Sequence, residues 1–426
     1  MIVKKGILHI ALVLFLAFAG CVPQKQVRVN RNLSYLYIPG RTPLHPEYLI
    51  YHNSDTLSTL KIKVQPVQLL FNQANKEGKY LSLLTLRYRL YEIGRQRHLS
   101  DSGRVQYFID LDQLKGDFRA NILLHCALGK QYILETIAAD QIRKTAIQNF
   151  LFVDKQTNHT SQDFLVTDVK DNKALFTAVA DSRKRFHIIY RKGMADTFFI
   201  SYFLPDTTVP PPPDLMVAYP AYGRKADSTW QVPVTDTSTF SLPAEGVYLF
   251  RTDTAFTTGK PLYNFGKYYP YIRTPEQMAS PLVYLLNETE MSNLMTSENL
   301  KLAVDDFWLH TSDNIEKSRE LIRLYYNRVF YANVFFTSYK EGWRTDRGMI
   351  YIIYGPPDNL VKTESREIWT YGEDKNPNKL TFTFIHKAHP FSLNHFVLFR
   401  GENAESRWRQ AVRTWRQGSV FVVGKS

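Results

Sequence analysis

Hydrophobic and polar residues alternate along much of the first half of the chain. In the segment LSLLTLRYRLYEI, one face of a strand carries Leu84, Leu86, Tyr88 and Leu90, and the other carries Thr85, Arg87 and Arg89. Similar segments follow one another between turn clusters such as NKEGK and SDSGR. This period of two predicts two antiparallel, Ig-like β-sandwiches, one over residues 47–156 and one over 157–274.

The period changes after Thr274. A pair of amphipathic helices is expected between Glu298 and Phe336, followed by the apolar run MIYIIY, which we predict to be a central strand. Three further strand-like segments and a last helix, AESRWRQAVRTWRQ, complete an α+β domain over residues 275–426. The predicted fold is therefore multidomain and mainly β, with two sandwiches before an α+β domain.

The stretch EGWRTDRGMIYIIYGPPD, residues 341–358, concentrates unusual residues. Gly342 and Gly348 permit positive φ angles at a tight entry into the strand. Thr345 and Asp346 are residue types that bond neighbouring backbone amides in turns. Trp343 offers a large apolar surface, and either Arg347 or Arg344 can pair with Asp346 or Glu341. A structural turn is the interpretation that we favour.

This stretch resembles the motif of the GWxTD domain, which occurs in exported proteins of Bacteroidota and some other bacteria. The upstream YYNRVFYANVFF and the downstream IWTYG also resemble that family, so the similarity extends over residues 276–418. The resemblance implies no established reaction. Contact with a ligand or partner through Gly342, Trp343, Thr345, Asp346, Arg347 and Gly348 stays open. Catalysis by Asp346 lacks an identifiable second titratable group.

The N-terminus has the layout of a bacterial export signal. Lys4 and Lys5 precede an apolar run from Ile7 to Ala19, which is shorter than the roughly 20 residues of a membrane-spanning helix. Small residues then precede Cys21, as in a lipobox, which predicts a signal peptide over 1–20 and acylation of Cys21. Residues 21–46 are polar and basic with scattered prolines, so we expect a tether.

Charge and flanking residues bear on location and partners. Val22 follows Cys21, so the inner-membrane retention signal, an Asp at that place, is absent, and the first acidic residue is Glu47. We therefore predict an outer-membrane anchor with the body in the periplasm. Removing Lys4 and Lys5 changes the net charge from +13 to +11, which favours acidic partners. Nucleic acid is excluded by that compartment, and no cofactor is expected.

Three other features carry candidate chemistry. His386, His389 and His395 cluster in HKAHPFSLNH, where zinc binding is one interpretation and exposed loop histidines the favoured one. On the last helix, Arg409, Arg413 and Arg416 share a face. It is expected to be solvated, and the alternative is that it docks an acidic partner or lipid phosphates. Cys126 lies in an apolar run and is expected to be a buried, inert thiol.

Two classes of function remain. The favoured one is a non-enzymatic scaffold or accessory subunit of an envelope assembly or secretion machine, because the sequence lacks a catalytic constellation. The alternative is a periplasmic glycan-binding or glycan-processing protein that uses the region of residues 342–348. A buried Asp346 with all its bonds satisfied would count against the enzyme.

Overall fold

A computed structural model describes the chain over residues 32–73, 78–94, 98–191, 196–216, 223–235, 237–312, 314–363, 365–373, 379–400 and 405–423. The predicted signal peptide and Cys21 lie outside the described residues. Within the described residues, no helix is long and apolar enough to span a bilayer.

The first sandwich packs two antiparallel sheets face to face. Its strands are β1 (Glu47–His52), β2 (Leu57–Val64), β3 (Asn72–Gln73), β4 (Tyr80–Glu92), β5 (His98–Asp110), β6 (Phe118–His125), β7 (Lys130–Asp140) and β8 (Thr145–Lys155). One sheet has the order β1–β2–β6, and the other runs β3–β4–β7–β8 with β5 also paired to β4. Residues from both sheets, such as Leu60 and Leu134, meet in one core. Cys126 is buried beside it, as predicted.

The second sandwich is smaller and its core is richer in aromatic residues. It comprises β9 (Phe164–Asp168), β10 (Phe186–Tyr190), β11 (Thr197–Phe203), β12 (Ser228–Pro233), β13 (Gly246–Arg251) and β14 (Lys260–Asn264). A two-stranded sheet, β10–β9, faces a four-stranded sheet of order β12–β11–β13–β14. Phe186 from one sheet contacts Phe250 from the other, with 6.5 Å between their ring centroids. The prediction of a mainly β chain with antiparallel sandwiches is confirmed.

Most helices lie in the last third of the chain. They are α1 (Pro275–Ala279), α2 (Glu288–Met295), α3 (Leu300–His310), α4 (Ile315–Phe336), α5 (Asp346–Tyr354) and α6 (Glu405–Arg416). An antiparallel sheet contains, in order, β15 (Asn359–Lys362), β16 (Arg366–Tyr371), β17 (Leu380–His386) and β18 (Phe396–Phe399). α5 is buried among these elements along its whole length.

The apolar run MIYIIY is helical, so the prediction of a central strand was wrong. It forms most of α5, which Thr345 caps at its start. Gly355, with φ of 84°, follows its last residue. The guanidinium of Arg328 donates to the carbonyl oxygens of Ile352 and Ile353, each at 2.9 Å, and so satisfies the helix end. A run that is apolar on every side has no period, and tertiary packing overrides its β propensity.

The end of the predicted tether is part of the folded body. A 3₁₀ helix at Ser34–Tyr37 places Leu33 and Tyr37 in the same core as α5. The amide of Leu33 donates to the carbonyl oxygen of Leu360 at 2.8 Å, which attaches this segment to the edge strand β15. The tether prediction is therefore wrong from Asn32 onwards, because these apolar residues are buried.

Candidate functional site

The predicted motif forms the turn between α4 and α5. Gly342–Arg344 is a single 3₁₀ turn, and Thr345 both ends it and begins α5. The Thr345 hydroxyl donates to the carbonyl oxygen of Gly342 at 2.8 Å and accepts from the amide of Gly348 at 3.1 Å. One side chain therefore links the turn to the first turn of the helix, as a helix N-cap does.

The two glycines are required by close approach of backbones, and not by positive φ as we predicted. A Cβ at Gly342 would lie 2.1 Å from the carbonyl oxygen of Ala332 on α4. A Cβ at Gly348 would lie 2.0 Å from the carbonyl oxygen of Gly342. Neither glycine has a positive φ. Hydrogen at these positions lets the turn pack directly on the backbone of α4.

Asp346 is buried, with 5% of its surface exposed. Its Oδ1 accepts from the guanidinium of Arg400 at 2.8 Å, and its Oδ2 accepts from the amide of Leu398 at 3.1 Å. The carboxylate thus connects the start of α5 to β18 and to the residue after it. Because it is buried and bonded to these partners, the carboxylate is closed to a substrate.

Arg347 belongs to a second buried network. Its guanidinium donates to Oε1 of Glu367 at 3.1 Å and to Oδ1 of Asn394 at 2.6 Å. The same group lies 4.1 Å from the centroid of the Phe396 ring. Arg347 therefore joins α5 to β16 and β18 through a charge pair that water does not reach.

Glu367 accepts hydrogen bonds from four side chains. Tyr37, Arg347, Lys362 and Trp369 all donate to its carboxylate. Burial alone would raise its pKa, but the charges of Lys362 and Arg347 and the hydrogen bonds lower the pKa of Glu367 to about 2. The N-terminal segment is thus fixed to the domain through Tyr37, whose backbone oxygen also accepts from the Tyr351 hydroxyl at 2.9 Å.

Trp343 and Arg344 complete the turn. The amide of Trp343 donates to Oδ1 of Asn333 at 3.0 Å, and its carbonyl oxygen accepts from the Tyr284 hydroxyl at 2.8 Å. The Arg344 guanidinium lies 4.1 Å from the Trp343 ring centroid and pairs with Glu341 at 2.7 Å. The Trp343 indole is 3% exposed, so it packs in the core and offers no stacking surface to a ligand.

The structure brings all six predicted motif residues together, in a buried turn that holds the elements of the domain together. The sequence analysis missed their partners Arg400, Glu367, Asn394 and Tyr37. The sequence does contain a signal for the burial of Glu367. In REIWTY, Glu367 shares one face of the strand with Trp369 and Tyr371. An acidic residue among aromatic residues on a buried face indicates a buried ion pair. No sequence pattern around Arg400 or Asn394 indicates that these residues are partners of the motif.

The double role of Thr345 gives a first prediction. Thr345→Val keeps the shape of the side chain and removes both hydrogen bonds, so we expect a loss of about 1–2 kcal/mol in the free energy of unfolding. Thr345→Ser keeps the hydroxyl and is expected to lose less than half of that. Urea denaturation followed by tryptophan fluorescence measures both. Equal losses in the two variants would contradict the capping role.

His386 ends β17, and His389 and His395 lie in the β17–β18 connection. All three are partly buried, so the expectation of exposed loop histidines was wrong. The ring of His389 stacks on Tyr339, with 4.0 Å between centroids. Burial and the neighbouring His395 lower the pKa of His389 to about 3, and burial lowers that of His395 to about 4. Among the residues that the structure describes, no group of three or more His, Cys, Asp or Glu side chains has the geometry to hold a metal ion.

The predicted arginine face of α6 borders an open groove of about 700 Å³. Trp408 and Trp415 are buried beneath the helix, while Arg409, Arg413 and Arg416 line the groove. Arg416 makes two hydrogen bonds to Glu290, at 2.6 and 2.7 Å. Arg409 is 4.0 Å from Asp214, and Arg413 has no ion pair within the described part of the chain. The opposite wall includes the proline run at 210–212.

Residues 246–417 match the family model of the GWxTD domain. This chain carries a GWxTD domain. The matched range begins in β13, and so includes part of the second sandwich as well as the helical region. No protein with a curated description matches the chain.

Three solved structures show a weak likeness. A β-glucuronidase from Bacteroides uniformis aligns at 14% identity and a TM-score of 0.17, over 35% of this chain and 14% of that one. A second β-glucuronidase structure from that organism aligns at 14% identity and a TM-score of 0.17, over 38% of this chain and 16% of that one. A putative β-galactosidase from Bacteroides fragilis aligns at 10% identity and a TM-score of 0.18, over 33% of this chain and 19% of that one. The chain therefore spans less than a fifth of each of these proteins, and such TM-scores do not indicate a shared overall fold.

Proposed function

We propose that this protein is a non-enzymatic scaffold subunit of an envelope assembly or secretion machine. It would be a lipoprotein of the Bacteroidota type, anchored in the outer membrane by acyl chains on Cys21, with its body in the periplasm. The observation that carries the proposal is the state of the GWxTD motif, whose charged groups are all engaged in holding the domain together.

The two buried carboxylates of the motif region support a structural role. Asp346 is bound by Arg400 and a backbone amide, and Glu367 by two cations and two further donors. General acid–base catalysis needs a titratable group with access to substrate and a pKa near the working pH. Both carboxylates are buried and so lack that access, and the pKa of Glu367 is about 2. A glycan site on Trp343, Asp346 and Arg347 would require these side chains to leave their partners, so we do not propose it.

The groove beside α6 supports recruitment of a partner. Its floor is apolar, with Val209, Val283, Leu286 and Val412 among the lining residues, and its rim carries arginines. Because Arg409 and Arg416 already face acidic residues of the chain itself, Arg413 supplies the uncompensated charge. A short protein segment with apolar side chains and adjacent acidic residues fits this combination.

The proposal predicts a photo-crosslink that depends on the charge of Arg413. A photoreactive amino acid at Val412, introduced in the native host, is expected to give one defined crosslinked species. Mass spectrometry is expected to locate the crosslink in an acidic segment of a protein partner. Arg413→Glu is expected to reduce its yield at least tenfold, because the reversed charge repels that segment.

Two controls separate docking from misfolding. Arg323→Glu changes an exposed arginine on α4, far in sequence from the groove, and is expected to leave the crosslink unchanged. A photoreactive residue at the exposed Leu324 is expected to give no defined product. If the Val412 crosslink is absent, or persists in Arg413→Glu, the groove is not the docking surface. If glycan fragments are captured in place of a protein, the scaffold function fails.

A further inference from the structure

A second cavity, of about 420 Å³, lies where the two sandwiches meet the loop between β17 and β18. Its walls come from the end of β8 and the residues after it, from the β13–β14 turn, and from residues 389–393. None of the motif residues lines it. The cavity is therefore a separate site from the GWxTD turn, and it shares no lining residue with the groove beside α6.

The cavity walls are held by specific contacts. The Thr258 hydroxyl donates to the carbonyl oxygen of His159 at 3.2 Å, and the His159 ring stacks on Phe256 with 3.6 Å between centroids. On the other side, the Tyr263 hydroxyl donates to the carbonyl oxygen of Phe391. These bonds join the three contributing segments, so the cavity is a built feature of the fold.

Lys260, the first residue of β14, lines this cavity. Burial lowers the pKa of Lys260 to about 8, and burial is its single cause. Within the described part of the chain, its ammonium has no carboxylate partner and no hydrogen-bond acceptor. Asp154 also lines the cavity and makes no ion pair with Lys260; its Oδ1 accepts from the side chain of Gln131 and the amide of Gln156, each at 3.3 Å. Lys260 is half-buried, and its charge is unpaired within the described residues, so an anion bound in the cavity would gain an ion pair with it.

The other lining groups indicate the rest of the ligand. Hydroxyl and amide side chains line the cavity together with Lys260: Gln156, Thr157, Ser161, Thr257 and Ser392. Such groups both donate and accept hydrogen bonds, which suits a ligand that carries several hydroxyls. The volume admits a molecule the size of one sugar.

We propose that this cavity binds a small polyhydroxylated carboxylate, with Lys260 as the partner of its negative charge. The amine of Lys260 is accessible from the cavity when the ligand is absent, and the ligand covers the amine when it binds. This site goes beyond the scaffold function, and it would survive if the groove beside α6 bound nothing.

The first test uses the reactivity of the lysine itself. At pH 8 about half of the Lys260 side chains are neutral, against less than about 1% of an ordinary lysine. We expect trinitrobenzenesulfonate to label Lys260 about tenfold faster than the exposed Lys115, as peptide mapping by mass spectrometry would show. Gluconate is expected to protect Lys260, whereas glucitol, its uncharged counterpart, is expected not to.

The second test uses variants at the same residue. Lys260→Arg keeps the charge and is expected to keep gluconate binding, measured by calorimetry, while Lys260→Met is expected to weaken it at least tenfold. Binding to the native protein is also expected to fall above pH 8 as Lys260 loses its proton. His159 and His389, which share the cavity, have lowered pKa values and stay neutral there. Labelling of Lys260 that gluconate does not slow would overturn the proposal, and this outcome does not depend on any variant folding.

Discussion

Replacing Gly348 with alanine is expected to destabilise the GWxTD domain by about 3 kcal/mol or more. Gly348 is the third residue of α5, and helix propensity alone predicts a gain of about 1 kcal/mol for this change. The added Cβ, however, would lie 2.0 Å from the carbonyl oxygen of Gly342 and 2.9 Å from the Cα of Trp343. Both are backbone atoms that Thr345 holds in place, so the turn must move as a whole. A loss of stability would therefore indicate that the steric overlap of the Cβ dominates, and a gain would indicate that helix propensity dominates.

Urea denaturation followed by tryptophan fluorescence measures this prediction. Five of the six tryptophans lie after residue 274, so the fluorescence reports mainly on this domain, and far-ultraviolet circular dichroism, recorded in parallel, reports on the sandwiches as well. Gly116→Ala is the matched control: φ there is 90°, but nothing lies within 4 Å of the added Cβ. It is expected to cost about 1 kcal/mol from backbone strain alone. A Gly348→Ala protein at least as stable as the native one would show that the turn adapts to a side chain.

The β-sandwiches were predictable because their signal is local. In β4, Leu84, Leu86 and Leu90 are buried as the alternation requires, and the strand is bordered by turn residues that fix its ends. Period two survives in an antiparallel sheet because one face meets the core and the other meets water. The same reasoning applied to MIYIIY fails, since a fully buried helix and a fully buried strand have the same uniformly apolar sequence.

The motif could be located from the sequence, but its partners could not. Thr345 before an acidic residue is a recognisable helix start, and it was assigned to a turn because the following run has β propensity. Arg347 and Glu367 are 20 residues apart, and Tyr37 donates to Glu367 from 330 residues away. No local period encodes such pairs. They follow from the burial of charged groups, each of which needs a partner that the fold supplies.

The largest pH effect in this domain is expected from Glu367. At neutral pH, Glu367→Gln leaves Arg347 and Lys362 buried without their carboxylate, which is expected to cost about 3–5 kcal/mol. The folded-state pKa of Glu367 is about 2, below its ordinary value of 4.5. Its stabilising contribution is therefore fully present above pH 4.5 and is lost as the pH falls from 4.5 to about 2. The shift corresponds to about 3 kcal/mol.

Unfolding free energies of the native protein and Glu367→Gln, measured between pH 7 and pH 2, test this. The difference between the two proteins is expected to be constant above pH 5 and to shrink by about 3 kcal/mol by pH 2. The control Glu316→Gln removes an exposed pair with Arg319, 2.6 Å apart, and is expected to cost well under 1 kcal/mol. Lys362 does not contribute to the change in unfolding free energy between pH 7 and pH 2, because it stays charged there in both the folded and the unfolded protein; its pKa in the folded protein is raised. A difference that stays constant down to pH 2 would mean that the pKa of Glu367 is the same in the folded and the unfolded protein, so that its pairs with Arg347 and Lys362 add no net stability.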